Sequence, residues 1–384
     1  MREFPLPLAN SADYPKPSFF ATAQNHLYSA KKYNGGKHSQ FLKDGLFIKN
    51  GRAAIASVAQ SLGLKSGDAI LLPEYFCPAM VEPFIWLGLE VRFYQLHKSL
   101  EVNHSHLESL IDDKVKACLF VRYFGFSLGI EKSLLLAKRY GLLAIEDCAH
   151  SFFSSPIVIN SVCFDASICS LNKFFPCIDG GMYRLSCTEQ LKRSHKPKGR
   201  NIKEEVKYLL NSIGLELVLT KIKGLFFSSA KIEQEKNETT GTSVEKDRFR
   251  YFIPSDLLTC CYKLTEWLVK TSNYRKVKRS RVNNYQLLYD GLANSPIGRP
   301  LIEPEIGATP YVFPFLLNNS DDFHYIRTNG VQILRWEEFY HSENCEIESY
   351  RKKLIQIPCH QNLTKQQITE IISIINKDNI SNGK

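Results

Sequence analysis

The sequence predicts an α/β fold in which a mostly parallel sheet is covered by helices on both faces. Three observations carry that expectation. Short apolar runs alternate with amphipathic segments of helix length, the runs have strand length, and glycine-containing stops separate them. In chain order, "AAIASVAQSLGL" (53–64) reads as a helix closed by "KSGD", and "AILL" (69–72) as a strand. "PAMVEPFIWLGL" (78–89) reads as a helix and "EVRFYQL" (90–96) as a strand. "KACLFVRYF" (116–124) is a strand, "GIEKSLLLAKRYG" (129–141) a helix with a glycine stop, and "LLAIED" (142–147) a strand. In such sheets ligands gather at the carboxyl ends of the strands. The segments after "AILL", "CLFV" and "LLAI" are therefore where a site is expected.

The alternation stops near 188. From 188 to 247 the chain is basic and then polar, with one amphipathic piece over 204–227, and reads as an insertion. A long helical pattern over 255–292 follows, then a strand at "PYVFPFLL" (310–317) and a final helix at "LTKQQITEIISIINK" (363–377). Two domains are expected: a large α/β domain over 1–245, including the insertion, and a smaller C-terminal α/β domain over 246–384.

Composition narrows the class. Of 384 residues, 44% are hydrophobic and 23% charged, which is globular rather than disordered. The N-terminal twenty residues lack an apolar core of signal-peptide type, and no apolar run has membrane-spanning length. Eleven cysteines without a CxxC pair point to reduced thiols of a cytoplasmic protein, with no metal site. The net charge of +10 is concentrated in 191–285, where 21 Lys/Arg face 10 Asp/Glu. That stretch carries few interleaved aromatics and no nucleic-acid motif, so it reads as a solvated basic face.

Chemistry is carried by residues at strand ends. "EDCAHS" places Glu146, Asp147 and His150 after a buried strand, where a carboxylate is expensive unless a cation or strong donor meets it. Lys173 follows in "SLNKFFPCIDGG" (170–181), whose two glycines allow close backbone approach. "KNGRAAIA" puts Asn50 and Gly51 directly before a helix start, where free N–H groups suit a phosphate. Each piece alone is commonplace: Lys173 reads as a snorkelling lysine, Asp147 as a turn residue, His150 as a satisfied polar group. Together they fit pyridoxal 5'-phosphate, which needs an anion cup, a carboxylate for its ring nitrogen and a lysine for its aldehyde. "PEYFCPAM" offers Tyr75 or Phe76 as an aromatic cover.

Over residues 45–187, and more loosely over 250–377, the chain resembles the DegT/StrS family of aminotransferases. The motifs that carry the resemblance are "NGRAAI", "LGLKSGDAILLPEYFCPAMV", "GLEVRFY", "VRYFG", "AKRYGLLAIEDCAHS", "SLNKFFPCIDGG" and "IPCHQNLTKQQITEI". The resemblance implies a pyridoxal-phosphate fold of type I, aspartate-aminotransferase-like. It implies Lys173 as the lysine that holds the cofactor aldehyde, Asp147 at the pyridinium nitrogen and His150 near the ring or its phenolic oxygen. Gly51, Arg52 and Ser170 would help hold the phosphate, Ala53 would be a further cofactor-binding residue, and Tyr75 or Phe76 would stack on the ring. It further implies a homodimer that moves an amino group, from glutamate, to a keto sugar that is most often nucleotide-linked. Lys173 argues against a dehydratase, which in this family accompanies replacement of that lysine by histidine. The intact Asp147 and Lys173 argue against a non-catalytic binding protein. Where the family often has Ser-Gly-Thr, this chain has Asn50-Gly51-Arg52, so the phosphate cup differs in charge.

Overall fold

The computed structural model describes residues 39–186, 199–200, 202–203, 205–206, 249–336 and 344–378. The basic insertion expected at about 188–247 lies outside the described residues except at those few positions.

The first sheet is built in the order in which the sequence reads. Helix α1 (Gln40–Asp44) leads into strand β1 (Leu46–Ile48), helix α2 (Gly51–Ser61) and strand β2 (Ala69–Pro73). Helix α3 (Pro78–Trp86), strand β3 (Glu90–Tyr94), helix α4 (His104–Ser109) and strand β4 (Val115–Val121) follow. Then come helix α5 (Ile130–Arg139), strand β5 (Leu143–Asp147), a small hairpin of β6 (Val158–Ile159) and β7 (Val162–Cys163), strand β8 (Ala166–Ser170) and strand β9 (Gly181–Leu185).

Seven strands join in the order β1-β9-β8-β5-β4-β2-β3. The pairs β2–β3, β2–β4, β4–β5 and β5–β8 are parallel, whereas β8–β9 and β1–β9 are antiparallel. The expected mostly parallel α/β sheet is therefore present, with an antiparallel edge. Every residue of β2 is buried, as two-sided coverage demands.

Two expectations need correction. The strand over 116–124 ends at Val121, because Tyr123–Gly125 turns into a 3-10 helix with Phe124 at φ 56°. Phe124 is held there from both sides: its N–H donates to His150 Nδ1 at 3.3 Å, and its carbonyl accepts the Tyr311 N–H at 2.7 Å. The helical pattern over 255–292 is not one helix. It is a 3-10 turn (Pro254–Leu258), helix α6 (Lys263–Thr271) and helix α7 (Tyr274–Leu292). Ser272 is extended, and Asn273 restarts the helix as an N-cap whose side chain accepts the Lys276 N–H.

The C-terminal part forms a second sheet, all antiparallel, in the order β10-β11-β13-β12. Its strands are β10 (Gly298–Pro300), β11 (Val312–Leu317), β12 (Leu334–Arg335) and β13 (Leu354–Pro358), with helices α8 (Asp322–Thr328), α9 (Cys345–Lys353) and α10 (Lys365–Asn376) between and after them. Helix α10 starts at a capping box in which Thr364 and Gln367 satisfy each other's backbone N–H. One apolar core runs continuously under both sheets. A carboxylate also pins the chain where it re-enters: Glu82 of α3 accepts the N–H groups of Arg250 (3.1 Å), Tyr251 (2.7 Å) and Phe252 (2.7 Å).

The ten described cysteines are free thiols. Among the described residues, no helix is long and apolar enough to cross a membrane.

Candidate active site

A cavity of about 580 Å³ opens at the carboxyl ends of β4, β5 and β8, a size ordinary for a small-molecule site. Val121, Asp147 and Ser170, the last residues of those strands, line it. Lys173 enters one short step later, on the 3-10 turn Leu171–Lys173. The start of α2 closes one end, with Asn50, Gly51 and Arg52 in the wall.

The α2 end has the shape and free donors of an anion cup. Asn50 caps the helix, its Oδ1 accepting the Ala53 N–H at 2.9 Å and its Nδ2 donating to Asp256 Oδ2 at 2.6 Å. That leaves the N–H groups of Gly51 and Arg52 in a first turn that supplies them no intrahelical partner. Gly181 makes this approach possible. A Cβ there would sit 2.3 Å from the Asn50 carbonyl atoms and 2.7 Å from the Gly51 nitrogen. Of the "DGG" glycines, Gly181 is thus a packing requirement of the cup, whereas Gly180, at φ 108°, packs against Thr265 and Leu171.

All the residues nominated from sequence line the cavity except Ala53. Ala53 is fully buried beneath the cup, and its N–H is committed to Asn50, so it supports the cup from behind. Ser170 lines the wall with its hydroxyl donating to Asn172 Oδ1 at 2.9 Å. Tyr75 and Phe76 are both buried. Phe76 stacks in parallel on Phe93, 4.8 Å between centroids, while Tyr75 leans on Trp336 at 5.0 Å.

Asp147 and Lys173 face the cavity from adjacent elements. Asp147 Oδ1 accepts the Ala149 N–H at 2.7 Å. Burial raises its proton affinity, and the Lys173 charge pulls it back. Burial also lowers the proton affinity of the Lys173 amine, against the opposing pull of Asp147. The Lys173 Nζ lies 5.6 Å from the centre of the Tyr311 ring. His150 stacks on that same ring at 4.7 Å and on Phe124 at 5.7 Å. Burial, and then Lys173, hold the imidazole neutral well below its ordinary range.

Sequence reasoning missed several wall residues. Lys49 pairs with Asp179 at 3.4 Å and lies over the Tyr262 ring at 4.1 Å. Asp179 also accepts from Thr265 Oγ1 at 2.6 Å and from the Tyr262 N–H at 3.0 Å. The "DGG" motif was read for its glycines, although its aspartate was an equally visible signal. Tyr262, Asp256 and Trp336 come from distant segments with no local pattern to mark them.

The donor set fits pyridoxal phosphate: a backbone anion cup beside Arg52, a buried carboxylate for a protonated ring nitrogen, and an amine of lowered proton affinity for an aldehyde. Comparison with known proteins decides the relationship. Residues 37–158 match the DegT/DnrJ/EryC1/StrS aminotransferase family. The resemblance read from the motifs is borne out over that stretch. The chain is similar to GDP-perosamine synthase of Vibrio cholerae, 28% identical over 111 residues, which are 29% of this chain and 30% of that protein. The alignment thus spans under a third of the length of that curated relative. Among solved structures, the aminotransferase from Psychrobacter cryohalolentis superposes with a TM-score of 0.65 at 14% identity, covering 96% of this chain and 100% of the other. The ntda protein of Bacillus subtilis, solved with bound cofactor PMP, gives 0.60 at 13% identity, covering 93% and 75%. The expected type I fold is borne out by these likenesses.

Proposed function

We propose that this protein is a pyridoxal-phosphate-dependent aminotransferase that carries an amino group from an amino acid, glutamate, to the carbonyl of a keto sugar linked to a nucleotide. The observation that carries the reading is the joint placement of Lys173, Asp147 and the α2 cup around one cavity. The family match over 37–158 and the similarity to GDP-perosamine synthase support the sugar acceptor. The same reading takes 1–245 and 246–384 as the two domains, supported by a C-terminal sheet made wholly of residues after 297. It also takes the active form as a homodimer in the cytoplasm.

When bound, pyridoxal phosphate supplies an electron sink for the carbon that carries the amino group. Gly51 and Arg52 would hold its phosphate through backbone N–H groups and a guanidinium, with Ser170 lining the same wall. Asp147 would keep a proton on the ring nitrogen by charge. His150, neutral and clamped between Phe124 and Tyr311, would orient the ring without adding positive charge. Lys173, whose amine burial makes easier to deprotonate, would hold the aldehyde and would move a proton at the reacting carbon.

The test is an absorption spectrum of the purified full chain, alone and with added pyridoxal phosphate. A visible band that glutamate bleaches, and that Lys173→Ala removes, is expected. Absence of any band after reconstitution overturns the reading. Mass spectrometry of the product formed from a nucleotide-linked keto sugar and glutamate then tests the acceptor, and no amination of any such sugar would sink that part.

A further inference from the structure

Arg281 on α7 is 1% exposed, and its guanidinium donates to three backbone carbonyls and one side-chain amide oxygen. Its Nη2 donates to the Lys173 carbonyl at 3.3 Å, and its Nη1 donates to the carbonyls of Tyr311 (2.9 Å) and Pro310 (3.2 Å). Its Nε donates to Gln361 Oε1 at 2.8 Å, and Gln361 Nε2 in turn donates to the Phe174 carbonyl at 2.9 Å. The guanidinium also lies 4.7 Å from the centre of the Phe174 ring.

We propose, resting on the reading of Lys173 given above, that Arg281 and Gln361 are positioning residues: a buried clamp from the C-terminal half that sets where the Lys173 amine sits. The turn that carries Lys173 secures its own start, because the Leu171 N–H reaches the Gly180 carbonyl and the Phe174 N–H reaches the Leu171 carbonyl. Its end is gripped from outside, since the carbonyls of Lys173 and Phe174 both go to the clamp. The same guanidinium fixes the backbone of Tyr311, whose ring carries the Lys173 amine on one side and His150 as a stacked partner. One side chain thereby registers the lysine, the aromatic beneath it and the histidine beside it. Burying a guanidinium is costly unless its donors are met, so the arrangement resists sliding. A lysine held in this way stays in the desolvated cavity, which favours its neutral form; a released one reaches toward water, which favours the protonated form.

The experiment labels the full-length chain, freed of cofactor, with an amine-acylating reagent and follows Lys173 by mass spectrometry across pH. Arg281→Met and Gln361→Ala are expected to move the Lys173 labelling midpoint upward by about one pH unit, an about tenfold slower labelling at fixed pH below it. Tyr285→Phe, which removes a buried bond from the same helix to the Ile302 carbonyl, is expected to leave the midpoint in place. Where Arg281→Met fails to fold, Gln361→Ala decides. Folded variants with an unmoved midpoint overturn the clamp. A wild-type chain that never yields the visible band overturns the aminotransferase reading instead, leaving the labelling result to stand by itself.

Discussion

Glu146 and Asp147 are neighbours on β5 that face opposite sides of the sheet. Glu146 meets the Arg122 Nε at 2.6 Å and accepts the Ser167 hydroxyl at 2.8 Å, whereas Asp147 lines the cavity with Lys173. The period-two alternation of a strand gives the two carboxylates separate jobs. Glu146→Ala is expected to destabilise by about 3–5 kcal/mol, because it leaves a buried guanidinium without its anion. Asp147→Asn relieves a buried charge, so its melting temperature is expected to equal or exceed that of the wild type while turnover falls at least about a hundredfold. Thermal melts and steady-state kinetics on both variants check this; an Asp147→Asn protein that turns over normally refutes the role.

The cup depends on Gly181 and not on the side-chain hydrogen of Gly51. A Cβ on Gly181 collides with the Asn50–Gly51 peptide, whereas one on Gly51 meets Ser170 Cβ at 3.4 Å, an ordinary contact. Gly181→Ala is expected to weaken pyridoxal phosphate binding by tenfold or more, about 1.4 kcal/mol, while Gly51→Ala changes it by less than about threefold. Titration of each apoprotein with the cofactor, followed by absorbance, measures both.

Glu82 holds three successive N–H groups at the segment that brings Ile253 and Asp256 to the cavity. Glu82→Leu keeps the volume and strands those donors, at an expected cost of about 2–3 kcal/mol. Local hydrogen exchange at Tyr251 and Phe252 should accelerate before the sheet does. Unchanged protection at these two amides would show that the carboxylate is not the anchor.

Stability should fall on mild acidification for an identifiable reason. His360 is buried, and burial together with the Arg281 charge pushes its proton affinity down to about 4. The unfolded chain takes up a proton below about 6.5 while the folded imidazole stays neutral, so lowering pH favours unfolding between those values. The sign is that of a depressed histidine: stability is full above about 6.5 and drains as pH falls toward 4, by up to about 1.4 kcal/mol per unit. Denaturant midpoints from pH 7 to 5 should decline less steeply in His360→Gln than in the wild type. Parallel slopes would remove His360 as the source.

The sequence alone determined the sheet and the part of the site that rides on it. Periodicity marked β2 to β5 and their helices, because a doubly covered parallel strand must be apolar along its length. The ends of those strands, with "KNGR", "EDCAHS" and "SLNKFFPCIDGG", then named Gly51, Asp147, His150 and Lys173, and the family resemblance added Arg52 and Ser170; all of them line one cavity. Tertiary structure decided what surrounds them. The helical break at Ser272, the left-handed Phe124, the Tyr311 ring under His150 and Lys173, and the Arg281–Gln361 grip on the lysine turn all join segments far apart in the chain. No local period records such pairings, because they arise only when separate elements bury their polar groups against one another and must find partners there.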